Sequence, residues 1–415
     1  MKHRITYQLM RLKISKWSVS LCYTDLTDSQ PDKTMVKHML SKLSQIMSHP
    51  SIAVDLGTAN TRIYVSQHGD FIERPSSISL TSGKRNNISD EYLEYINNRL
   101  VTKPLRCGVI VDLKDATMLL KPLIKKSGRF LMAPITLASA PTDTTKNERD
   151  LLRKALVNAG ASHVSIIPEV LVAAIGAGID ITHPNAQLLI DIGDGVTDMA
   201  VFRNGCMIYS SSVRIACSDL QKSIRSAVIS KYKMQIYDYE AERLTQKVLS
   251  ILNSQEHSYE SFGVTGFDII KRCKANILVK EKDIISAIEP VLNKIIKMIE
   301  ISLKRLPEKI YCEILESGIC LTGGGACIEG IDMLIAIRTN MEVRIASDPI
   351  HAVINGAIQT LNYWDGKKKW WENIFWPKSD RVGYASHNRP IDNIKNIEMV
   401  DFTVLHRSYG LRSNP

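Results

Sequence analysis

A seven-residue turn occurs twice in this chain, and no other feature constrains the fold as much. The first copy is Asp55-Leu56-Gly57-Thr58-Ala59-Asn60-Thr61, and the second is Asp191-Ile192-Gly193-Asp194-Gly195-Val196-Thr197. Both read Asp, aliphatic, Gly, x, small, x, Thr. Each lies between strand-like apolar runs, Ser51 to Val54 and Arg62 to Val65 around the first, Gln187 to Ile190 and Asp198 to Phe202 around the second. A turn of glycine and small residues exposes consecutive backbone N–H groups that can cradle a phosphate. The aspartate that closes the incoming strand then stands where a metal on that phosphate would lie. One such turn is also what a plain hairpin looks like. Two of them predict two similar lobes facing one nucleotide.

The rest of the chain alternates short strands with helices, which predicts an α/β layout. Lys114 to about Lys126 reads as a helix, Ile135 to Ala140 as a strand ended by Pro141. Thr144 to Ala159 is strongly amphipathic, with Leu151, Leu152, Ala155, Leu156 and Ala159 on one face and Gly160 at the stop. Val164 to Ile167 is a strand, followed by a small-residue helix from Glu169 to Gly178. After the second turn, Cys206 to Ile215 reads as strand, and Asp219 to Lys233 and Tyr239 to Leu252 as helices. Residues 253–285 look irregular, with small strand-like pieces. Ile284 to Leu306 is a long helix, Ile319 to Thr322 a strand, and Ile331 to Ile337 a helix.

With 415 residues, 44% apolar and 23% charged, the composition is that of a globular protein of two ordinary domains or one bilobal one. No uninterrupted run of about 18 apolar residues is present, so no transmembrane helix is expected. The N-terminus lacks the apolar core and cleavage site of a secretion signal. Eight scattered cysteines form no C-x-x-C pair and suit a reduced, cytoplasmic protein. The net charge of +10 belongs to the ends: residues 1–49 hold eight Lys/Arg against three acids and residues 365–415 hold nine against six. A uniformly basic nucleic-acid binder would look different, and no nucleic acid is expected as a partner.

Residues 1–34 mix basic and polar residues around Trp17 to Tyr23 without domain-like periodicity. Met39, Leu40, Leu43, Ile46 and Met47 fall at helical spacing opposite Ser41, Lys42, Ser44 and Gln45. That pattern suits a short surface helix packed on the body, or a basic amphipathic helix lying in a membrane interface.

A third loop completes the pattern. Thr322-Gly323-Gly324-Gly325-Ala326 is a glycine turn between strand and helix, where backbone can approach a nucleotide closely. The three loops in this order resemble those of the actin, heat-shock chaperone and sugar-kinase superfamily, and within it the MreB family of bacterial actins. Further matches are Gly108-Val109-Ile110-Val111-Asp112, Ala173-Ala174-Ile175-Gly176-Ala177-Gly178, Tyr209-Ser210-Ser211-Ser212-Val213-Arg214-Ile215, Ala241-Glu242-Arg243 and Asp348-Pro349. They span about residues 51–364.

The resemblance implies an actin-like bilobal fold, two ribonuclease H-like lobes around a cleft holding ATP and Mg²⁺. Residues 51–187 would form the first lobe and 188–364 the second, between a basic extension at 1–50 and a Trp-rich basic extension at 365–415. Gly57, Thr58, Ala59 and Asn60 would meet the phosphates from one side, and Gly193, Asp194, Gly195 and Thr197 from the other. Asp55 and Asp191 would hold Mg²⁺ through its waters. Glu242 and Thr245 would lie at the adenosine, beside Gly323, Gly324, Gly325 and Ala326. Glu169 would position the attacking water, although a carboxylate opening a helix is also favoured by the helix dipole alone.

The chain departs from the family pattern at Pro168, Val170, Asp194, Ala216-Cys217-Ser218 and Thr245, all near the nucleotide. It departs again in Lys367-Lys368-Lys369-Trp370-Trp371 and Phe375-Trp376-Pro377-Lys378, whose composition suits an anionic membrane surface or a tail packed on the body. By resemblance, the protein would be a slow ATPase that assembles with itself into filaments on the inner face of the membrane and guides the cell-wall elongation machinery. A soluble kinase of sugars or small acids on the same fold is the competing reading, and a chaperone ATPase a third.

Overall fold

The computed structural model describes residues 7–14, 17–24, 50–81, 84–87, 100–126, 133–247 and 261–362. Two compact units divide the chain, Met1–Ser48 and His49–Pro415. In the first, Tyr7–Ile14 pairs antiparallel with Trp17–Thr24. Trp17, Val19, Leu21 and Tyr23 alternate with small polar residues, a strand signal on the stretch read above as without periodicity. The expected helix at Met39–Met47 and the Trp-rich segment after residue 364 lie outside the described residues.

The second unit is built on two five-stranded sheets. The first holds β1 (Ser51–Leu56), β2 (Asn60–Val65), β3 (Asp70–Pro75), β4 (Ile135–Ala140) and β5 (His163–Pro168), in the spatial order β5-β4-β1-β2-β3. The second holds β6 (Gln187–Ile192), β7 (Thr197–Arg203), β8 (Cys206–Val213), β9 (Ile319–Thr322) and β10 (Val343–Ile345), in the order β8-β7-β6-β9-β10. In both, the first three strands form an antiparallel meander, and the last two continue parallel to the first. One sheet therefore repeats the other, strand for strand. This is the ribonuclease H-like arrangement, twice.

Helices cover the sheets because the strands alternate. In β1, Ile52, Val54 and Leu56 turn to a core completed by α1 (Leu113–Lys126) and α2 (Lys146–Ala159), while Ala53 turns the other way. In β6, Leu188, Ile190 and Ile192 face a second core, and Leu189 joins Ala53 in a third. That third core is the middle layer, made by α3 (Glu169–Gly176) between the sheets. The second core is filled by α4 (Cys217–Tyr232), α5 (Asp238–Lys247), α6 (Glu281–Lys304), α7 (Glu308–Ser317) and α8 (Ile331–Thr339). The last helix, α9 (Ala352–Asn362), places Val353, Ile354 and Ala357 in the middle layer with Ala53 and Leu137.

Two glycines set how closely α3 and α9 cross. A Cβ on Gly176 would lie 1.9 Å from the Ala352 carbonyl oxygen, and one on Gly356 would lie 1.7 Å from that of Val172. The backbones touch, so no side chain fits between them.

Three expectations change. Residues 253–285 are more regular than expected where described: the small strand-like pieces are two eight-residue strands, Ser261–Asp268 and Cys273–Lys280, paired in a regular hairpin. Most of its side chains are exposed or half-buried, so no clean apolar alternation marks it. Helix α7 and strand β10 also go unpredicted, the first opening at Pro307 and burying only Ile310 and Ile314. Helix α3 ends at Gly176 rather than Gly178.

Candidate functional site

The β1–β2 and β6–β7 hairpins present their turns to one cleft of about 220 Å³. Its wall brings together Asp55, Gly57, Thr58, Ala59 and Asn60 from the first hairpin and Asp191, Gly193, Asp194 and Gly195 from the second. Glu169 joins them from the start of α3, Glu242 and Thr245 from α5, and Gly323 and Gly324 from the loop after β9. Thr197, Gly325 and Ala326 are not brought to this wall. The Thr197 hydroxyl donates to the Ile215 carbonyl at 2.8 Å, Gly325 lies against the Ile192 side chain, and Ala326 is buried in the second core.

The turns are fixed from behind. The Gly108 N–H donates to Thr58 Oγ1 at 2.9 Å, tying the first turn to the 107–110 segment. A Cβ on Gly195 would lie 2.6 Å from Thr58 Oγ1 and 2.9 Å from the Cys107 Cα, so the second turn approaches the first only as glycine. Ser218 donates to the Asp194 carbonyl through both its N–H and its hydroxyl, at 2.9 and 2.7 Å. Ala216-Cys217-Ser218, the departure noted in sequence, is thus the anchor of the second turn, and Cys217 lines the cleft, where burial pushes its thiol up. Gly323 sits at φ +81, and a Cβ there would meet the Ile192 carbonyl oxygen at 2.3 Å and Asp191 Oδ1 at 2.6 Å. Only glycine serves at that point.

Strand register makes the two hairpins equivalent. Asp55 pairs with Arg62 across the first, and Asp191 pairs with Asp198 across the second. Asp55, Glu169, Asp191 and Asp198 therefore line the same cleft. Burial pushes Asp191 up to about 6, against a hydrogen bond from the Thr322 hydroxyl at 2.9 Å. Burial likewise raises Asp198 to about 7, although the Ser212 hydroxyl donates to it. Glu169 is driven well above the usual carboxylate range, first by burial and then by the charges of Asp55, Asp191 and Asp198. Burial also raises Asp55, opposed by Arg62, whose Nη1 donates to Asp55 Oδ2 at 3.0 Å. At the other end of the cleft, burial raises Asp194 and Glu242. The Thr245 hydroxyl donates to the Ala241 carbonyl at 2.8 Å, so its proton is engaged within the helix while its lone pairs stay available.

Such a set of acids suits a divalent cation. Among the described residues no cluster of three metal-ligating side chains stands preformed. Mg²⁺ does not require one, because it keeps several waters and takes one or two carboxylates alongside substrate phosphates. The pair Asp55 and Asp191 fits that chemistry.

Sequence reasoning missed Arg62, Asp198, Gln221 and Gln246, all of which line the cleft. The first two carried a signal: each is a charged residue directly after the motif threonine, inside an apolar strand. Gln221 and Gln246 carried none, because their helices reach the cleft only through tertiary packing.

Duplicated ribonuclease H-like sheets, with a hairpin from each opening into a shared acidic cleft, define an actin-like protein. The MreB/Mbl protein family matches residues 49–369, and the chain belongs to that family. It is 31% identical to the cell shape-determining protein Mbl of Bacillus subtilis (strain 168), over 76% of this chain and 96% of that one. It is 29% identical to the cell shape-determining protein MreB of Haemophilus influenzae, over 79% of this chain and 97% of that one. Among solved structures, MreB5 of Spiroplasma citri bound to AMPPNP superposes with a TM-score of 0.68 at 30% identity, covering 79% of this chain and 99% of its own. The MamK double helical filament, at 18% identity and a TM-score of 0.63, shares the fold. The small-molecule kinase reading falls away with this membership.

Proposed function

We propose that this chain binds ATP with Mg²⁺ in the cleft, hydrolyses it slowly, and assembles with itself into filaments. These would lie on the inner face of the cytoplasmic membrane, guide cell-wall elongation and so maintain cell shape. The observation that carries this reading is the pair of equivalent hairpins aimed into one cleft. The resemblance to a relative bound to AMPPNP and, in a second structure, to ADP supports it.

In this reading the turn backbones of Gly57 to Asn60 and Gly193 to Gly195 clamp the phosphates from opposite sheets. Glu242, Thr245, Gly323 and Gly324 flank the adenosine. Asp55 and Asp191 hold Mg²⁺, which when bound neutralises phosphate charge. Glu169 orients the attacking water and takes its proton when ionised. Phosphoryl transfer mostly needs positioning and charge neutralisation, so this machinery is sufficient for slow turnover.

Sedimentation of the full chain with ATP, ADP or no nucleotide, with and without anionic liposomes, tests the proposal. ATP-dependent pelleting that increases with liposomes is expected. A chain that stays monomeric in every nucleotide state would overturn the filament reading.

A further inference from the structure

We propose that Arg62 is a resident cation for the phosphate end of the cleft, relieving at Asp55 part of the charge repulsion that a nucleotide-bound divalent ion otherwise neutralises. The inference rests on the reading of the cleft as an ATP site and concerns how strongly that site depends on Mg²⁺.

Arg62 is 8% exposed and lines the cleft. Its guanidinium is held in a fixed place. Nη1 donates to Asp55 Oδ2 at 3.0 Å and Nε to Glu73 Oε1 at 2.9 Å. Glu73 is itself braced, since its Oε2 lies 3.4 Å from His351 Nε2, and the other ring nitrogen of His351 lies 2.9 Å from Asp348 Oδ1. Two bonds use two of the five N–H donors of a guanidinium, which leaves donors for phosphate oxygens or their waters. The equivalent position in the second hairpin is Asp198, so the two cross-strand pairs differ in charge: Asp55 faces a cation and Asp191 faces a carboxyl. The positive charge also acts beyond its own pair, opposing the rise of the Glu169 and Asp191 carboxyls. A triphosphate entering a site lined by six carboxyl groups meets strong repulsion. A buried, doubly anchored arginine lowers that repulsion whether or not a metal accompanies the ligand.

The test is equilibrium titration of the full-length chain with a fluorescent ATP analogue, in MgCl₂ and in EDTA, with the ratio of the two Kd values as readout. For the wild type, chelation should weaken binding less than about tenfold; for Arg62→Leu, about 100-fold or more, the loss that follows when a buried cation no longer answers its anions. Arg62→Lys should keep the small ratio. Should Arg62→Leu fail to fold, the double variant Arg62→Gln/Glu73→Gln removes the cation at Asp55 without changing the net charge, and it should still show a larger ratio than the wild type. Equal ratios in the wild type and in the folded charge-free variants would overturn the inference and leave the ATP reading standing. A wild type that binds no nucleotide in either buffer overturns both.

Discussion

Asp198 faces Asp191 across a hairpin, two acids where a sheet ordinarily avoids like charges. With its carboxyl raised from 3.8 to about 7, Asp198 holds its proton more tightly folded than unfolded. Its contribution to stability is therefore complete below pH 3.8 and lost as the pH rises through about 7. At pH 8 the ligand-free protein bears the whole cost, on the order of 4 kcal/mol. Asp198→Asn should raise the melting temperature of the ligand-free chain at pH 8, with a gain that shrinks towards pH 5; thermal melts across that range check it, and a gain independent of pH would refute it. Glu169 offers the parallel test of chemistry. Glu169→Gln should keep ATP affinity within a few-fold while phosphate release falls about 100-fold. Unchanged release would remove Glu169 from the catalytic role.

Among the elements, the crossing of α3 and α9 has the least tolerance. Gly176→Ala or Gly356→Ala places a methyl where backbone already stands, and each should cost about 3 kcal/mol or more, read as a lower urea midpoint. A change below about 0.5 kcal/mol would show that the helices part easily. By contrast, α2 is an element whose limits are written in its own residues. Thr145 and Glu148 form a capping box at its start, and Gly160 closes it at φ 122 with its N–H on the Leu156 and Val157 carbonyls. Thr145→Ala should cost about 1 kcal/mol in the same assay. Arg214 ties this box to the second sheet, with Nε on Asp143 Oδ2 and Nη1 on Glu148 Oε1, both at 3.0 Å. The helix was legible because periodicity and caps are local. The hairpin Ser261–Asp268 and Cys273–Lys280 showed only as small strand-like pieces, because exposed strands owe their pairing to each other rather than to an apolar pattern.

At the scale of the whole molecule, the charge distribution makes the sharpest prediction. The excess positive charge lies at residues 1–49 and 365–415, at the two ends of the chain. Among the described residues no helix is long and apolar enough to cross a membrane. Deleting residues 1–50 or 366–415 should each reduce co-sedimentation with anionic liposomes, and salt should weaken the binding that remains. Undiminished binding after both deletions would refute the assignment of the basic ends to the membrane.

The repeated Asp-x-Gly turn fixed much in advance, because a turn needs only its own glycine and small residues to form. From it followed the duplication, the order of the cleft loops and the positions of Asp55, Asp191, Gly57 and Gly193. What the turn could not show is its neighbours. Register placed Arg62 beside Asp55 and Asp198 beside Asp191, and chain crossing brought α9 back against α3 and β1. Long-range packing carried Glu169 down among the other acids and moved Thr197, Gly325 and Ala326 off the cleft wall. Local residues specify local geometry, whereas burial and charge at a site are sums over parts of the chain that meet only in the folded state.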